Sequence, residues 1–422
     1  MTGRTRKVRI RQNAFWNEGN MKYIVILGDG MADEPIAALG NKTPLEVAAT
    51  PMMDQLAPVS EIGLAKTIPQ GMKPGSDTAN LAVLGYDPKV YYSGRSPLEA
   101  LSIGVPMKDT DIAVRCNIVT VSDDSLPYEE KTMIDHSSSE ISTEDAAVLL
   151  EAVRKEFQNE IYQFYTGTSY RHCLIINNGS VMDLSQPHDI LERVIGEYLP
   201  ADKMLYDMMK RSYDILNNHP LNVERAKKGL NKANSLWFWG AGTKPLLTSF
   251  EEKTGKRGAM ISAVDLLKGI AVGAGMKVVS VDGADGTLHT NYEGKANAAV
   301  DVLLKEGYDF VYVHVEAPDE MGHQGSVDRK VKAIEYLDEK VIRPVKKAMD
   351  ASGEAYRMLV LPDHPTPIAC RTHTSDPIPY LLYDSNEGGI KTENAQYNEK
   401  QAAASGIVVS EGYRLIEKLF GE

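Results

Sequence analysis

Three short apolar runs along the chain each lead into an aspartate. Met21-Lys-Tyr-Ile-Val-Ile-Leu-Gly stops at Asp29, and Phe310-Val-Tyr-Val-His-Val passes through Glu316-Ala-Pro to Asp319. Met358-Leu-Val-Leu stops at Pro362, ahead of Asp363 and His364. Runs of this length read as buried strands, and a proline that cannot donate to the ladder closes the third. In an open parallel sheet the C-terminal strand ends converge on one crevice, so the three aspartates are predicted to meet. A single strand–Asp junction is usually a helix cap. Here, however, His323 follows Asp319 by four, on the same face of a helical turn. His364 adjoins Asp363, and His373 follows on a Pro/Thr-rich loop. Carboxylates with imidazoles are a ligand set for Zn²⁺ or Mn²⁺, and a two-metal site is expected.

The remaining pattern predicts an α/β chain with a different texture in its middle. Thr43-Pro with Glu46 reads as a capping box, and Thr50-Pro repeats the helix-start signal. Further helices are expected from Ser76, after the Pro74-Gly75 turn, and after Gly94-Arg95-Ser-Pro. From about residue 105 the sequence predicts a strand over 112–121, a helix over 142–158, and a hairpin of 160–165 with 169–176 around Gly167. A polar helical stretch over 187–234 and a strand from Ser235 to Trp239 ended by a glycine turn follow, with the tryptophans in the core. The α/β rhythm then returns. A helix is expected over 259–274, a strand over 277–281, a helix around 295–306 and a strand over 310–315. A helix over 327–349, a strand into Asp363, a strand from Pro379 and a helix over 409–420 complete the chain. The expected organisation is a core of residues 21–105 and 256–422 interrupted by a smaller α+β insert, 106–255.

Composition narrows the function classes. The chain has 422 residues, 43% apolar and 25% charged, ordinary for a soluble globular protein. A net charge of −12 argues against nucleic acid or an anionic membrane as partner; a small anionic substrate answers to local charge and is left open. Cys116, Cys173 and Cys370 are widely spaced, form no disulfide framework or CxxC site, and point to a reducing cytoplasm. No apolar run approaches the length of a spanning helix. In residues 1–20, Arg4, Arg6, Lys7, Arg9 and Arg11 face the single acid Glu18 with no apolar core, so the segment is not a secretory signal. A disordered upstream extension is expected.

The chemistry then centres on Ser76. A serine opening a helix has its hydroxyl beside free backbone N–H groups and the positive end of the dipole, a place that suits a covalently carried phosphate. A neutral hydroxyl is a poor nucleophile, and a bound metal corrects that. Arg115 falls in mid-strand, where a buried arginine needs an anion. Arg171 and His172 stand in the hairpin and His136 in a polar loop. Together they suggest an anion pocket.

The motifs Gly28-Asp29-Gly-Met, Pro74-Gly-Ser76-Asp-Thr-Ala-Asn-Leu with Leu84-Gly-Tyr-Asp-Pro, Asp319-Glu-Met-Gly-His323, and Asp363-His364-Pro-Thr-Pro with His373 resemble the cofactor-independent phosphoglycerate mutases. The match is to the shorter, archaeal-type branch of the alkaline phosphatase superfamily, in the family's order from Met21 onward. The resemblance implies an alkaline-phosphatase-like core with a mostly parallel sheet flanked by helices. It implies two divalent ions, Mn²⁺, Mg²⁺ or Zn²⁺: one held by Asp29, Ser76, Asp363 and His364, the other by Asp319, His323 and His373. Ser76 would take the phosphoryl group and return it, interconverting 3-phosphoglycerate and 2-phosphoglycerate in glycolysis or gluconeogenesis. Arg115, His136, Arg171 and His172 of the insert, with Lys295 from the core, are the expected substrate grip. The alternative on the same scaffold is a homoserine kinase-like phosphotransferase of threonine biosynthesis. The seven metal-site positions are all filled, which argues against a non-catalytic relative. The oligomeric state stays open.

Overall fold

The structure, a computed structural model, describes residues 21–422; the expectation for residues 1–20 lies outside them. Its thirteen strands are β1 (Lys22–Gly28), β2 (Glu61–Ala65), β3 (Ile112–Val121), β4 (Met133–Asp135), β5 (Tyr162–Tyr165), β6 (Arg171–Ile176), β7 (Ser235–Thr243), β8 (Gly258–Ile261), β9 (Lys277–Val279), β10 (Phe310–Val315), β11 (Tyr356–Leu361), β12 (Ile378–Asp384) and β13 (Val408–Val409). They form two sheets. The larger has eight strands in the order β13-β2-β12-β11-β1-β10-β8-β9. Only β12 runs antiparallel to its neighbours, so the sheet is mostly parallel, as expected.

The near-continuous apolar runs of the central strands follow from burial on both faces. Side chains alternate between faces. Ile24, Ile26, Val311, Val313, Met358 and Val360 enter one core. Val25, Leu27, Tyr312, Leu359 and Leu361 enter the other. The first core lies under helices Tyr292–Leu304, Val327–Leu337 and Arg343–Ser352, and the second under Ser76–Val83, Asp265–Gly273 and Leu415–Phe420.

The second sheet takes all its strands from residues 112–243. β3 pairs antiparallel with β4, β6 and β7, and β5 with β6. Helices Thr143–Phe157 and Lys203–Leu216 cover it. Helix Arg95–Ser102 lies between the sheets, against helix Asp265–Gly273 and against β3 and β7. Gly269 allows that approach: a Cβ there would meet the Leu98 carbonyl oxygen at 1.8 Å.

Several elements differ from expectation. Residues 258–261 are strand β8, not the start of a helix, because tertiary pairing between β10 and β9 overrides the helical preference of Ala259 and Met260. The helix there begins only at Asp265. The stretch 187–234 holds two full helices, Lys203–Leu216 and Pro220–Lys227, after two 3₁₀ turns. β7 runs on through its glycines to Thr243, with Gly240 at φ 64° and a register shift in the facing strand between Ala113 and Arg115. The helix expected over 327–349 contains a π turn at Asp338–Ile342. That turn has a partner: the Asp338 carboxylate accepts the N–H groups of Met52 and Met53 at 3.1 and 2.7 Å. It caps helix Pro51–Leu56, which Thr50 enters without a side-chain cap bond. The Thr43–Glu46 capping box is formed as expected. Residues 409–420 are a short β13 end, a 3₁₀ turn and a helix confined to Leu415–Phe420. Among the described residues no helix is long and apolar enough to cross a membrane.

Candidate metal centre and adjoining cavity

β11, β1 and β10 are neighbours in mid-sheet and parallel, so the chain leaves all three at one edge. Asp29 follows β1, Asp363 and His364 follow β11, and Asp319 lies in helix Ala317–His323 directly after β10. Gly30, at φ 59°, lets β1 turn away: a Cβ there would meet Asp319 Oδ1 and Thr366 Oγ1 at 2.5 Å.

Two clusters result. The ligand atoms of Asp29, Asp363 and His364 lie within 4.8 Å of one another, as do those of Asp319, His323 and His373. Asp29, Asp319, Asp363 and His364 are buried. Hydrogen bonds set the ring tautomers. His323 Nδ1 lies 2.9 Å from the Arg371 carbonyl and must donate to it, which leaves Nε2 as the nitrogen turned to the cluster. That Nε2 faces Asp319 Oδ2 at 3.2 Å and His373 Nε2 at 3.0 Å. Thr366 Oγ1 gives its proton to Asp319, so it accepts from His364 Nδ1 at 3.3 Å. His364 Nε2 is thereby free to face Asp363 at 3.4 Å and Ser76 Oγ at 3.2 Å. Ser76 is the first residue of helix Ser76–Val83; Gly75 is the N-cap, and the Ser76 side chain makes no cap bond. Asn80, one turn on, ties the serine to the cluster by donating to the Ser76 carbonyl and to Asp363 Oδ2 at 2.8 and 2.9 Å.

The electrostatics call for a cation. Burial, then Asp363 and Asp319, raises the Asp29 carboxyl well above the usual range. For Asp319 burial works the same way, but His323 and His373 outweigh it and hold the group low. Bonding to Asp319 pushes His323 up to about 9. Protons are here compensating carboxylates too close together to be charged alone. Among the described residues Asp29 Oδ1 is buried without any hydrogen-bond partner. An orphaned carboxylate oxygen, imidazole Nε2 atoms turned toward both clusters and mixed O/N donors fit a divalent transition metal or Mg²⁺.

A cavity of about 240 Å³ opens between the two sheets. Arg115, Arg171, His172 and Thr168 line it from the second sheet's side, and Arg95, Glu99, Asp265 and Glu316 from the first. Arg115 is buried and stacks over Trp239 at 4.7 Å, and its Nη1 donates to Glu99 Oε1 at 2.8 Å. Arg95 Nε donates to that same oxygen at 2.8 Å. Arg115 Nε has no partner. His172 accepts the Gly167 N–H on Nδ1 at 3.2 Å, so its proton is on Nε2, buried and also without a partner. Burial and then Arg154 push this ring down to about 3. On the facing wall, burial and then Asp319 push Glu316 up to about 7.

The remaining expected residues lie outside the cavity wall. His136 is reached from Arg115 through Trp239 and then His188, along ring contacts of 5.5 and 6.1 Å. Lys295 is fully buried, donates to the His314 carbonyl at 2.9 Å, and lines a separate small pocket with Lys268 and Ser262. Sequence reading missed Arg95, Glu99, Glu316, Asn80 and His314. Arg95 and Glu99 are spaced for an i,i+4 pair, a signal that reads equally as a solvated helix face.

Known proteins resemble this chain in sequence and in fold. A family model described as 2,3-bisphosphoglycerate-independent phosphoglycerate mutase matches residues 57–222. A protein of that name from Methanosarcina barkeri is 49% identical over 391 residues, 92% of this chain and 96% of the relative. A probable one from Geobacter sulfurreducens is 47% identical, covering 94% of this chain and 99% of the relative. Among solved structures, a Pyrococcus horikoshii protein matches with TM-score 0.77 at 29% identity, over 95% and 97% of the two chains. The cofactor-independent phosphoglycerate mutase of Thermoplasma acidophilum matches with TM-score 0.63 at 26% identity, over 95% and 99%.

Proposed function

This chain belongs to the 2,3-bisphosphoglycerate-independent phosphoglycerate mutases. On that premise we propose that it interconverts 3-phosphoglycerate and 2-phosphoglycerate through a phosphoserine on Ser76, as a step of glycolysis or gluconeogenesis in the cytoplasm. The observation that carries the proposal is the position of Ser76: at a helix N-terminus, its Oγ 3.2 Å from a histidine of a buried carboxylate–imidazole cluster.

Asp29, Ser76, Asp363 and His364 would hold one divalent ion, and Asp319, His323 and His373 the other, as Mn²⁺, Mg²⁺ or Zn²⁺. When bound, the ions supply the positive charge that lowers the serine pKa and spreads the charge of the transferring phosphoryl group. The chain does the rest by positioning. Ser76 Oγ forms the new P–O bond as the bond to the O3 atom of the substrate breaks, and the serine proton passes to the departing alkoxide. Free N–H groups of helix Ser76–Val83 face the phosphoserine. Arg115, Arg171, His172 and Arg95 keep the glycerate by its carboxylate while it turns to present O2, and the exchange then runs in reverse. His136 backs this grip through His188 and Trp239; Lys295, buried against the His314 carbonyl in a separate pocket, stands apart from it. Residues 21–105 and 256–422 form the catalytic core, and 106–255 the substrate-holding insert.

Purified protein given 3-phosphoglycerate and Mn²⁺ should make 2-phosphoglycerate, measured by phosphorus NMR, and should not phosphorylate homoserine from ATP. Exhaustive chelation should stop turnover and Mn²⁺ restore it. Full turnover by protein shown metal-free by elemental analysis would overturn the metal assignment. ATP-dependent homoserine phosphorylation at a higher rate would overturn the substrate.

A further inference from the structure

Behind the candidate metal centre lies a histidine that the proposed chemistry does not use. His314 is on β10 opposite Leu27 of β1, and it is fully buried. Its Nε2 lies 3.0 Å from Asp29 Oδ2 and its Nδ1 3.3 Å from Ser262 Oγ, just past β8. The proton positions follow from chemistry. As a metal ligand Asp29 is ionised and has nothing to donate, so in the loaded site Nε2 must give its proton to Asp29. A second proton on this ring would face a burial cost with the Lys295 ammonium already bonded to the His314 carbonyl at 2.9 Å. Nδ1 therefore accepts, and Ser262 is its donor. The Ser262 oxygen in turn accepts the Val264 N–H at 3.0 Å, which fixes the hydroxyl. The chain of bonds runs from the β8 end, through His314, to Asp29.

The consequence falls on Asp29. Its Oδ2 is taken by His314, while its Oδ1 is buried and unpartnered, 3.6 Å from His364 Nε2. We propose that His314, with its tautomer set by Ser262, is a positioning residue that makes Asp29 a one-oxygen ligand, Oδ1 only, for the ion shared with Asp363 and His364. The assignment rests on the proposed metal centre. Groups that orient a metal ligand in this way typically contribute 10- to 100-fold to affinity.

The test uses full-length protein stripped by chelation and titrated with Mn²⁺ alone, followed by calorimetry. Wild type should show two binding events. His314→Leu should weaken one of them about 10- to 100-fold and leave the other near its wild-type affinity. His314→Gln, which keeps a donor toward Asp29, should recover most of the loss. Nitrogen-15 NMR of the imidazoles, on protein loaded with diamagnetic Mg²⁺, should find the His314 proton on Nε2 in wild type. In Ser262→Ala it should find a mixture of tautomers, with the same binding event weakened. Wild-type affinity at both events in a folded His314→Leu overturns the proposal. If that variant does not fold, Ser262→Ala decides: an unchanged tautomer and unchanged affinity overturn it. Asp29→Asn, run alongside, separates the two assignments. Mn²⁺ binding indifferent to Asp29→Asn defeats the metal centre and this inference together. Binding sensitive to Asp29→Asn but not to His314→Leu defeats this inference alone.

Discussion

Among the described residues Ser76 Oγ has a single hydrogen-bond partner, His364, and it caps no helix. Ser76→Ala should therefore abolish turnover without cost to the fold, since alanine is at least as good a helix former. A quenched wild-type reaction should show acid-stable phosphate on the peptide containing Ser76, and the variant none. More than a few per cent of residual activity in the variant would favour direct transfer. His172 carries a second expectation, in pH. Its ring is held down to about 3, so between there and 6.5 the unfolded chain takes up a proton that the folded one refuses. Stability must then fall as pH drops through that window, by at most about 1.4 kcal/mol per unit from this ring. Urea melts at pH 7 and pH 5 should show a smaller drop for His172→Gln than for wild type. The convergence of Asp29, Asp319, Asp363 and His364 was legible because they sit just past the ends of buried strands. Arg95, Glu99 and Glu316 were not, because only the tertiary fold tells a cavity wall from a solvated face.

At the scale of elements, helix Arg95–Ser102 matters most: it brings Arg95 and Glu99 to the cavity and rests on helix Asp265–Gly273 at Gly269. Gly269→Ala puts a methyl group against the Leu98 backbone, an overpacking that should cost about 1–3 kcal/mol. Because the strain displaces a cavity wall rather than Ser76, KM for phosphoglycerate should rise more than kcat falls; melts and steady-state kinetics check both. A proportionate loss in kcat would show that the helix supports the nucleophile instead. Most central strands could be read from apolar runs. β8 could not, because four residues containing Ala and Met resemble a helix until β10 and β9 flank them. The Asp338 cap was equally hidden, since its two N–H partners lie 286 and 285 positions away.

At the scale of the whole molecule, the proposed metal centre implies that, with its carboxylates buried around Asp29, the metal-free protein should be the less stable form. Mn²⁺ should raise the melting temperature by mass action, by the equivalent of about 2.7 kcal/mol at a hundredfold excess over Kd. A melt indifferent to Mn²⁺ would count against a metal at this position. The eight-stranded sheet has a further consequence, in time. Asp29, just past β1, and His314, on the adjacent β10, are 285 positions apart. At a synthesis rate of about 5–20 residues per second, β1 leaves the ribosome roughly 15 to 60 s before β10, and earlier still than β11. Both of the strands that flank β1 are thus made late. For that interval the most apolar strand of the first hundred residues has two unpaired edges, a template for pairing with other chains. Nascent chains stalled before residue 310 should therefore be held by a chaperone or lost to aggregation, and none of them can assemble the site.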